Sequence, residues 1–556
     1  MTAATAPADP SAPAQPNMRL VVSASAAGTA FEWYDFFIFG SLAAILADVF
    51  YSGLTETARF IVALATFAVG FFVRPFGALV FGWIGDRTGR KGAFLITITM
   101  MGVATFAIGL LPTYALAGAL APALLVFLRV LQGLALGGEY GGAAVYVAEH
   151  SPDKRRGEHT SWIQTSAAFG LIGALGVILA TRTIVGEAAF REWGWRIPFL
   201  FSLGLLAISL WIRLKLSESP AFVAMKAAGK ETRAPFKEAF GTWRNGRFVL
   251  LALFGIMIAQ GAVWYASYFY AQFFLERVLR VEPATVNMVL MAVSIVSAAL
   301  YIFFGWLSDR VGRKPVMLAG MLLFVVVAFP GFRMLTEAAN PALAEAAERA
   351  PVVVRADPAD CSFQLDLVGQ ARFVSGCDIA RNVLSGKGVP YTREDAAAGT
   401  PAEVQIGGIL VPAQPAASED AAAVKAARAA AETQLRAGLT AAGYPEKADP
   451  ARFDAVRVFF ILLGFMVAAT ALYGPQAAAL VELFPTRVRY TAMSLPYNIG
   501  TGWVGGFLPA TAFAIVAATG DIYSGLWYPI LFTGVAIIVA ALLLPETKGR
   551  NLHAIE

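Results

Sequence analysis

About twelve stretches of roughly twenty mostly apolar residues limit what this chain can fold into, since each is long enough to cross a lipid bilayer as a helix. Hydrocarbon offers the backbone no hydrogen-bond partner, so a spanning segment has to satisfy its polar groups internally. The composition agrees, because 58% of the 556 residues are hydrophobic and only 15% are charged. The sequence predicts an all-α membrane protein with twelve transmembrane helices, near residues 20–48, 57–83, 92–111, 116–147, 160–182, 195–216, 248–275, 284–307, 316–335, 455–478, 491–516 and 524–544.

Basic residues are concentrated in alternate short loops, and this bias predicts the orientation of the chain. Cytoplasmic loops of membrane proteins carry an excess of lysine and arginine. The loops on the other side hold only scattered cations such as Arg59, Arg191 and Arg277. Both termini are therefore predicted to be cytoplasmic. The basic loops contain Arg87, Arg90, Lys91, Lys154, Arg155, Arg156, Lys226, Lys230, Arg233, Lys237, Arg244, Arg247, Arg310, Arg313, Lys314, Arg487, Arg489, Lys548 and Arg550.

One loop motif occurs twice, as GWIGDRTGRK from Gly82 and as GWLSDRVGRK from Gly305. Repeats of this kind are typical of transporters built from two related six-helix halves. The glycine allows two helices to approach closely, and Asp86 can meet the positive N-terminal end of a neighbouring helix. The alternative is a pair of loops that serve orientation alone. The predicted gating residues are Gly82, Asp86, Arg90, Gly305, Asp309 and Arg313.

Several charged residues fall inside the predicted spans of the first half. Such residues are costly in a membrane and usually functional. Glu32 and Asp35 are three residues apart and share one face of the first helix. The set is predicted to form the path of a proton and a substrate, and a purely structural ion-pair network is the alternative. Its members are Glu32, Asp35, Arg74, Arg129, Gln132 and Glu139.

Aromatic and amide side chains on other helices are candidates for binding the substrate. Gln260 and Trp264 share a helix face, as do Trp264 and Tyr268. An interfacial aromatic belt is the alternative explanation. The candidates are Tyr34, Gln260, Trp264, Tyr268 and Asn498.

A long polar segment, residues 336–453, interrupts the second half and is predicted to lie outside the cytoplasm. It holds both cysteines of the chain, Cys361 and Cys377. In an oxidising compartment such a pair is expected to form a disulfide. A zinc site would lack ligands, because no histidine lies nearby. The segment is interpreted as a lobe that shields or gates the outer entrance, or as a partner-binding module.

Four further segments carry a family resemblance: GTAFEWYDFFIFG from Gly28, RPFGALVFG from Arg74, RVLQGLALGGEYGG from Arg129 and ELFPTRVRYTAMSLPYNIG from Glu482. With the repeated loops, they resemble the major facilitator superfamily. More narrowly, they resemble its metabolite:proton symporters, which carry dicarboxylates, shikimate, citrate, or proline and betaine. The resemblance covers nearly all of 20–335 and 455–556. It implies a bacterial inner-membrane protein and assigns the acids of the first helix and Arg129 to the substrate and proton path.

The chain is thus predicted to divide into seven parts. These are a disordered cytoplasmic tail (1–19), a six-helix half (20–216), a cytoplasmic linker (217–247), helices 7–9 (248–335), the insertion (336–453), helices 10–12 (454–545) and a second cytoplasmic tail (546–556).

The predicted function is proton-coupled import of a small organic acid by alternating access, with the proton as coupling ion and no cofactor or metal. No phosphate-binding loop, G-x-S-x-G elbow or H-E-x-x-H pair is present, which disfavours a nucleotide-driven pump or an enzyme. The expected partners are a carboxylate-bearing small molecule, in view of Arg129, and membrane lipid, without nucleic acid or a required protein. The alternatives are a transporter-like ligand sensor and a symporter of a zwitterionic compatible solute.

Overall fold

A computed structural model of the protein describes residues 18–52, 56–215, 218–229, 232, 234–362 and 373–552. Its main body consists of long helices that pack side by side. They are α1 Met18–Ser41, α2 Glu56–Thr88, α3 Arg90–Leu110, α4 Leu120–His150, α5 Arg156–Val185, α6 Arg196–Leu214, α7 Trp243–Val278, α8 Pro283–Val311, α9 Arg313–Ala339, α10 Ala455–Leu483, α11 Arg489–Thr519 and α12 Ser524–Leu543.

Within the described residues, eleven helices are long and apolar enough to cross a membrane, namely those from α2 to α12. The helix α1 falls outside this set because Glu32 and Asp35 lower its hydropathy. It nevertheless packs against α5 and α6 along its length. The first tail, predicted as 1–19, lies almost entirely outside the described residues. The linker contains two short helices, Pro220–Ala227 and Pro235–Phe240, and α7 begins five residues before the predicted start of that half.

Helix pairing repeats with a shift of six helices. In the first half, α1 packs on α5, α2 on α4, and α3 on α4 and α6; in the second half, α7 packs on α11, α8 on α10, and α9 on α10 and α12. The halves meet through the α2–α11 and α5–α8 pairs, which are equivalent under the same shift. The two-half organisation predicted from the repeated loop is therefore present in the packing.

Glycines let α4 lie directly against α2. A Cβ at Gly137 would be 2.1 Å from the carbonyl oxygen of Arg74, and one at Gly133 would be 2.5 Å from that of Gly70. Any larger side chain would force the two backbones apart, so this close crossing depends on glycine.

The described residues of the insertion, 340–362 and 373–454, fold as a lobe. Its strands are β1 Val352–Ala356, β2 Thr392–Asp395, β3 Glu403–Ile406 and β4 Ile409–Pro412, in the order β2-β1-β3-β4. The β1–β2 pair is parallel and the other two pairs are antiparallel. Three helices accompany the sheet: Pro341–Arg349, Gly376–Gly386 and Ala421–Ala441. Cys361 and Cys377 are bonded to each other.

The lobe is attached to the second half. The backbone N–H of Tyr391 donates to the Gly520 carbonyl at 2.9 Å, and its hydroxyl donates to Ala517 at 2.7 Å. The buried Arg381 guanidinium donates to the Ala518 carbonyl at 2.7 Å, which places a cation at the negative C-terminal end of α11. This end of the bundle is called the lobe face. The opposite end, which carries the two repeated loops, is called the basic face.

Candidate substrate path and gate

A chain of hydrogen bonds connects the buried Asp35 on α1 to the buried Arg129 on α4. The Thr105 hydroxyl lies 3.0 Å from the Asp35 carboxylate, and the Gln132 amide donates to that hydroxyl at 2.8 Å. Arg129 donates to the Gln132 oxygen at 2.8 Å and stacks over the Phe39 ring at 4.1 Å. Three residues of the predicted path are thus linked, and Thr105 completes the connection.

Glu32 occupies a different environment, one turn from Asp35. Its Oε2 atom is buried without a hydrogen-bond partner in the described part of the chain. Glu139 is instead paired with Arg213 of α6 at 2.9 Å, and Glu139 also accepts a hydrogen bond from Thr97 at 3.1 Å. A buried carboxylate oxygen without a hydrogen bond is costly while the group is ionised, so Glu32 is the least well satisfied acid of this cluster.

Arg213 is a site residue that the sequence analysis missed. Its guanidinium lies so close to Gly28 that a Cβ there would be 1.8 Å from Nη2, and it stacks on Phe94 at 3.4 Å. The available signal was an arginine inside the predicted sixth span, since such a charge needs a buried partner.

Arg74 lies at the boundary between the halves. Its guanidinium is 4.6 Å from the centre of the Phe71 ring, and that ring is 6.1 Å from Tyr265 on α7. Arg74 is buried, and its Nε has no partner within the described residues. This cation therefore lies at a contact between α2 of the first half and α7 of the second.

The candidates from the second half are distributed along one buried wall. Trp264 stacks on Tyr268 at 5.9 Å and approaches Trp33 of α1 at 6.0 Å. Asn498 donates to the Gly137 carbonyl of α4 at 2.9 Å, so it bridges the halves. Gln260 is also buried, and its Oε1 has no partner in the region that the structure describes.

Tyr34 is separated from this wall. Its hydroxyl donates to the Pro198 carbonyl of α6 at 2.8 Å, and its ring packs near Phe201 at 6.1 Å. The hydroxyl is therefore used inside the first half, and the structure does not bring Tyr34 together with the other substrate candidates.

A tyrosine cluster joins the halves, and its members Tyr140 and Tyr473 were not predicted as site residues. Tyr140 of α4 stacks on Tyr497 of α11 at 3.7 Å, and the hydroxyls of Tyr497 and Tyr473 are 2.9 Å apart. Gln164 and Gln476 donate to the Tyr140 hydroxyl at 3.2 and 3.4 Å. Single tyrosines in apolar runs carried no periodic signal, because the cluster forms from four different helices.

The two repeated loops form equivalent contacts at the basic face. Asp86 accepts hydrogen bonds from the backbone N–H groups of Tyr490 and Thr491, at 3.1 and 2.8 Å, at the N-terminus of α11. Asp309 accepts from Gly157 and Glu158, at 2.9 and 2.8 Å, at the N-terminus of α5. Each acid therefore binds the positive end of a helix in the other half, as the sequence suggested for Asp86.

The other predicted gating residues support these acids. Arg90 pairs with Asp86 at 2.5 Å and Arg313 with Asp309 at 2.6 Å. A Cβ at Gly82 would be 2.8 Å from the Thr491 Cα, and one at Gly305 would be 2.6 Å from the Gly157 carbonyl oxygen. Glycine at these two positions thus permits the contact between halves.

Buried ion pairs also cross between the halves here. Across the halves, Glu149 pairs with Arg489 at 2.6 Å and Glu482 with Arg156 at 2.8 Å. Within the second half, Glu482 also pairs with Arg313 at 3.2 Å. These pairs were missed, although the spacing E-x-x-P-x-x-x-R occurs at Glu149 and again at Glu482. The basic face is consequently closed by ion pairs and helix-end contacts.

The paired halves, the buried path and the closed basic face together define a membrane transporter. The sequence model of the family described as "Sugar (and other) transporter" matches residues 20–245 and 435–556, more than half of the chain. The chain therefore belongs to this family of the major facilitator superfamily, whose members are not enzymes, and the resemblance found in the sequence is confirmed.

Two curated relatives illustrate the range of the family. The proline/betaine transporter of Escherichia coli (strain K12) is 38% identical over 328 residues, which cover 57% of this chain and 65% of the relative. The shikimate transporter of the same strain is 35% identical over 314 residues, covering 56% and 71%. The chain thus matches slightly less than two thirds of the proline/betaine transporter.

Solved structures share the fold. The proton:xylose symporter XylE bound to 6-bromo-6-deoxy-D-glucose superposes with a TM-score of 0.61 at 16% identity, covering 96% of this chain and 98% of that one. A partially occluded inward open form of XylE from E. coli gives 0.55 at 15% identity, covering 96% and 99%. The major facilitator fold predicted from the sequence is confirmed.

Proposed function

We propose that this protein is a proton-coupled symporter that imports a small organic acid through a bacterial inner membrane by alternating access. In this proposal α1 is a twelfth membrane span, the basic face is cytoplasmic together with both termini, and the lobe lies outside. The coupling ion is the proton, and no cofactor or metal takes part.

The supporting observation is the difference between the two acids of α1. Asp35 is connected through Thr105 and Gln132 to Arg129, whereas Glu32 has a buried oxygen without a partner. A carboxylate in such a place suits a group that gains and loses a proton as access alternates. Arg129 supplies a permanent planar cation whose geometry matches a substrate carboxylate.

A zwitterionic compatible solute is the second candidate substrate. Trp33, Trp264 and Tyr268 form a row of rings beside the buried acids, and aromatic faces attract quaternary ammonium groups. The curated proline/betaine transporters support this choice, while the shikimate transporter supports the acid. Both substrates present a carboxylate to Arg129. Only the zwitterion also carries a cationic group for the aromatic rings to bind.

Uptake by purified protein in proteoliposomes tests the proposal. Shikimate, succinate, proline and glycine betaine are supplied with an acidic outside, with equal pH, and with equal pH plus an uncoupler. The proposal requires accumulation of an acid only with the acidic outside. If betaine accumulates, and Trp264→Leu abolishes this accumulation, the zwitterion rather than the organic acid is the substrate. Binding without turnover in all conditions would contradict transport and support the sensor.

A further inference from the structure

The lobe contains a cavity that the proposed transport path does not use. It has a volume of about 390 Å³ and is lined by Arg280, two residues after the end of α7, by the helices Gly376–Gly386 and Ala421–Ala441, and by the segments that follow these two helices. Buried apolar side chains, Val383, Val389 and Leu439, form part of its wall.

The lining of this cavity is strongly cationic. Five basic side chains face two acidic ones, which leaves a formal charge of +3. The basic residues are Arg280, Lys387, Arg428, Arg436 and Lys447, and the acids are Glu432 and Glu446. Like charges gathered around one space repel one another, and an anion placed between them would reduce this repulsion.

Internal pairing accounts for only two of these cations. Lys387 donates to Glu432 at 2.9 Å and lowers the pKa of this carboxyl, so Glu432 stays ionised and balances Lys387. Arg436 lies 3.4 Å from Glu446. Arg428 and Lys447 have no hydrogen-bond or ion-pair partner within the ranges that the structure describes. Their donors are available to a ligand.

Arg280 is held in an unusual backbone conformation at the cavity wall. Among the described residues it is the single non-glycine with a positive φ, 57°. Its carbonyl accepts a hydrogen bond from Ala448 at 3.1 Å, and its guanidinium donates to the Gly386 carbonyl. Strained backbone of this kind is often found at binding sites, where the surrounding structure fixes a side chain in place.

We propose that this cavity binds a small anion carrying two or three carboxylate or phosphate charges, with Arg428 and Lys447 as its main contacts and Arg280 beside them. Two or three negative charges match the excess positive charge of the residues that line the cavity. Charge-assisted hydrogen bonds to these residues provide the affinity. Because Arg280 directly follows α7, the anion can come from solution or from a lipid phosphate. The site is separate from the transport path and does not depend on the proposed substrate.

Calorimetry with the full-length protein in uncharged phosphatidylcholine nanodiscs tests this site. The probes are citrate, inorganic phosphate and, as a monovalent comparison, acetate. All measurements use an Arg129→Ala background, so that the central path does not contribute. We expect citrate to bind more tightly than acetate, and Arg428→Ala/Lys447→Ala to weaken citrate about ten-fold or more. Raising the salt concentration weakens it as well.

A matched control removes two other cations of the lobe. Arg355 and Arg393 pair with Glu394 and Asp395 on the sheet, at 2.7 and 3.2 Å, so Arg355→Ala/Arg393→Ala should leave citrate binding unchanged. In a second arm, nanodiscs containing phosphatidylglycerol are compared by thermal unfolding. If phosphatidylglycerol raises the unfolding temperature and the soluble anions do not, and Arg428→Ala/Lys447→Ala abolishes this effect, the anion is a lipid headgroup. Equal affinity in both double variants, or no effect of any anion, overturns the proposal.

Discussion

Two acids on the same face of α1 have different surroundings. Asp35 is tied to Thr105 and, through Gln132, to Arg129, while Glu139 is neutralised by Arg213. Of these three acids, Glu32 is the one that keeps a buried oxygen without a hydrogen-bond partner among the described residues. Asp35 and Glu139 are therefore each held by polar partners. Glu32 is the acid best placed to exchange a proton.

Neutralising the acids of α1 should uncouple transport. In proteoliposomes with an imposed gradient of one pH unit, one coupled proton supports about ten-fold accumulation. Glu32→Gln should lose this accumulation and retain substrate exchange, because the protonated form is mimicked. Asp35→Asn should lower both, since the connection to Arg129 is altered. Glu187→Gln, a surface acid paired with Arg191 at 2.9 Å, is the control. Normal accumulation by Glu32→Gln/Asp35→Asn would exclude the proposed coupling.

Charge alone should not replace Arg129. Lysine keeps the cation but lacks the planar fork that binds Gln132 and stacks on Phe39. We expect Arg129→Lys to raise the KM for the carboxylate substrate about ten-fold, which corresponds to about 1.4 kcal/mol. Arg196→Lys, at a half-buried arginine near the lobe face, should have little effect. An unchanged KM in Arg129→Lys would show that the substrate does not contact this group.

At the scale of elements, the N-termini of α5 and α11 are completed by acids from the opposite half. The orphan N–H groups of a helix start need acceptors, and here Asp309 and Asp86 provide them. A glycine also stands immediately before each helix that follows a repeated loop, α3 and α9. Gly89 and Gly312 have φ values of 121° and 116°, and a Cβ at either would be within 2.5 Å of the Glu218 or Glu546 carboxylate.

The lobe is an element with its own covalent support. The disulfide of Cys361 and Cys377 spans a sequence separation of 16 residues, so its loss should cost the lobe on the order of 3 kcal/mol. Cys361→Ser should lower lobe stability, measured by limited proteolysis, and leave transport intact unless the lobe gates the entrance. Membrane-impermeant maleimide should label the wild type only after reduction. Labelling without reductant would refute the bond, and labelling only from the cytoplasm would refute the topology.

At the scale of the whole molecule, all the crossing ion pairs described above lie at the basic face, and the lobe contacts described above attach it to the second half. The pairs Glu149–Arg489 and Glu482–Arg156 are buried between the halves. Separation of the halves at this face would expose them to water. The lobe is bound to α11 through Tyr391 and Arg381, and it should move with the second half when access alternates.

Removing the two acids of these crossing pairs should open the basic face. Glu149→Gln/Glu482→Gln leaves the buried Arg489 without its acid and removes the crossing partner of the buried Arg156, and breaking a buried pair costs about 3–5 kcal/mol. A reporter cysteine in place of the buried Ser494, beside Gly141, should then react with maleimide about ten-fold faster or more. Glu158→Gln removes an acid that pairs with Arg155 in the same half and should not change the rate. Equal rates in both variants would contradict the closed gate.

The sequence by itself determined the family, the two halves, the pairing of the two cysteines and the eleven helical spans found among the described residues. Each of these depends on local composition or on short repeats, because the bilayer acts on one segment at a time. The tertiary structure decided which charges meet. Arg213 and Glu139 are 74 positions apart, and Asp86 and Tyr490 are 404 apart. Such pairs depend on which helix faces come together, and this is decided by packing rather than by local sequence. Packing likewise decides that the lobe attaches to the end of α11.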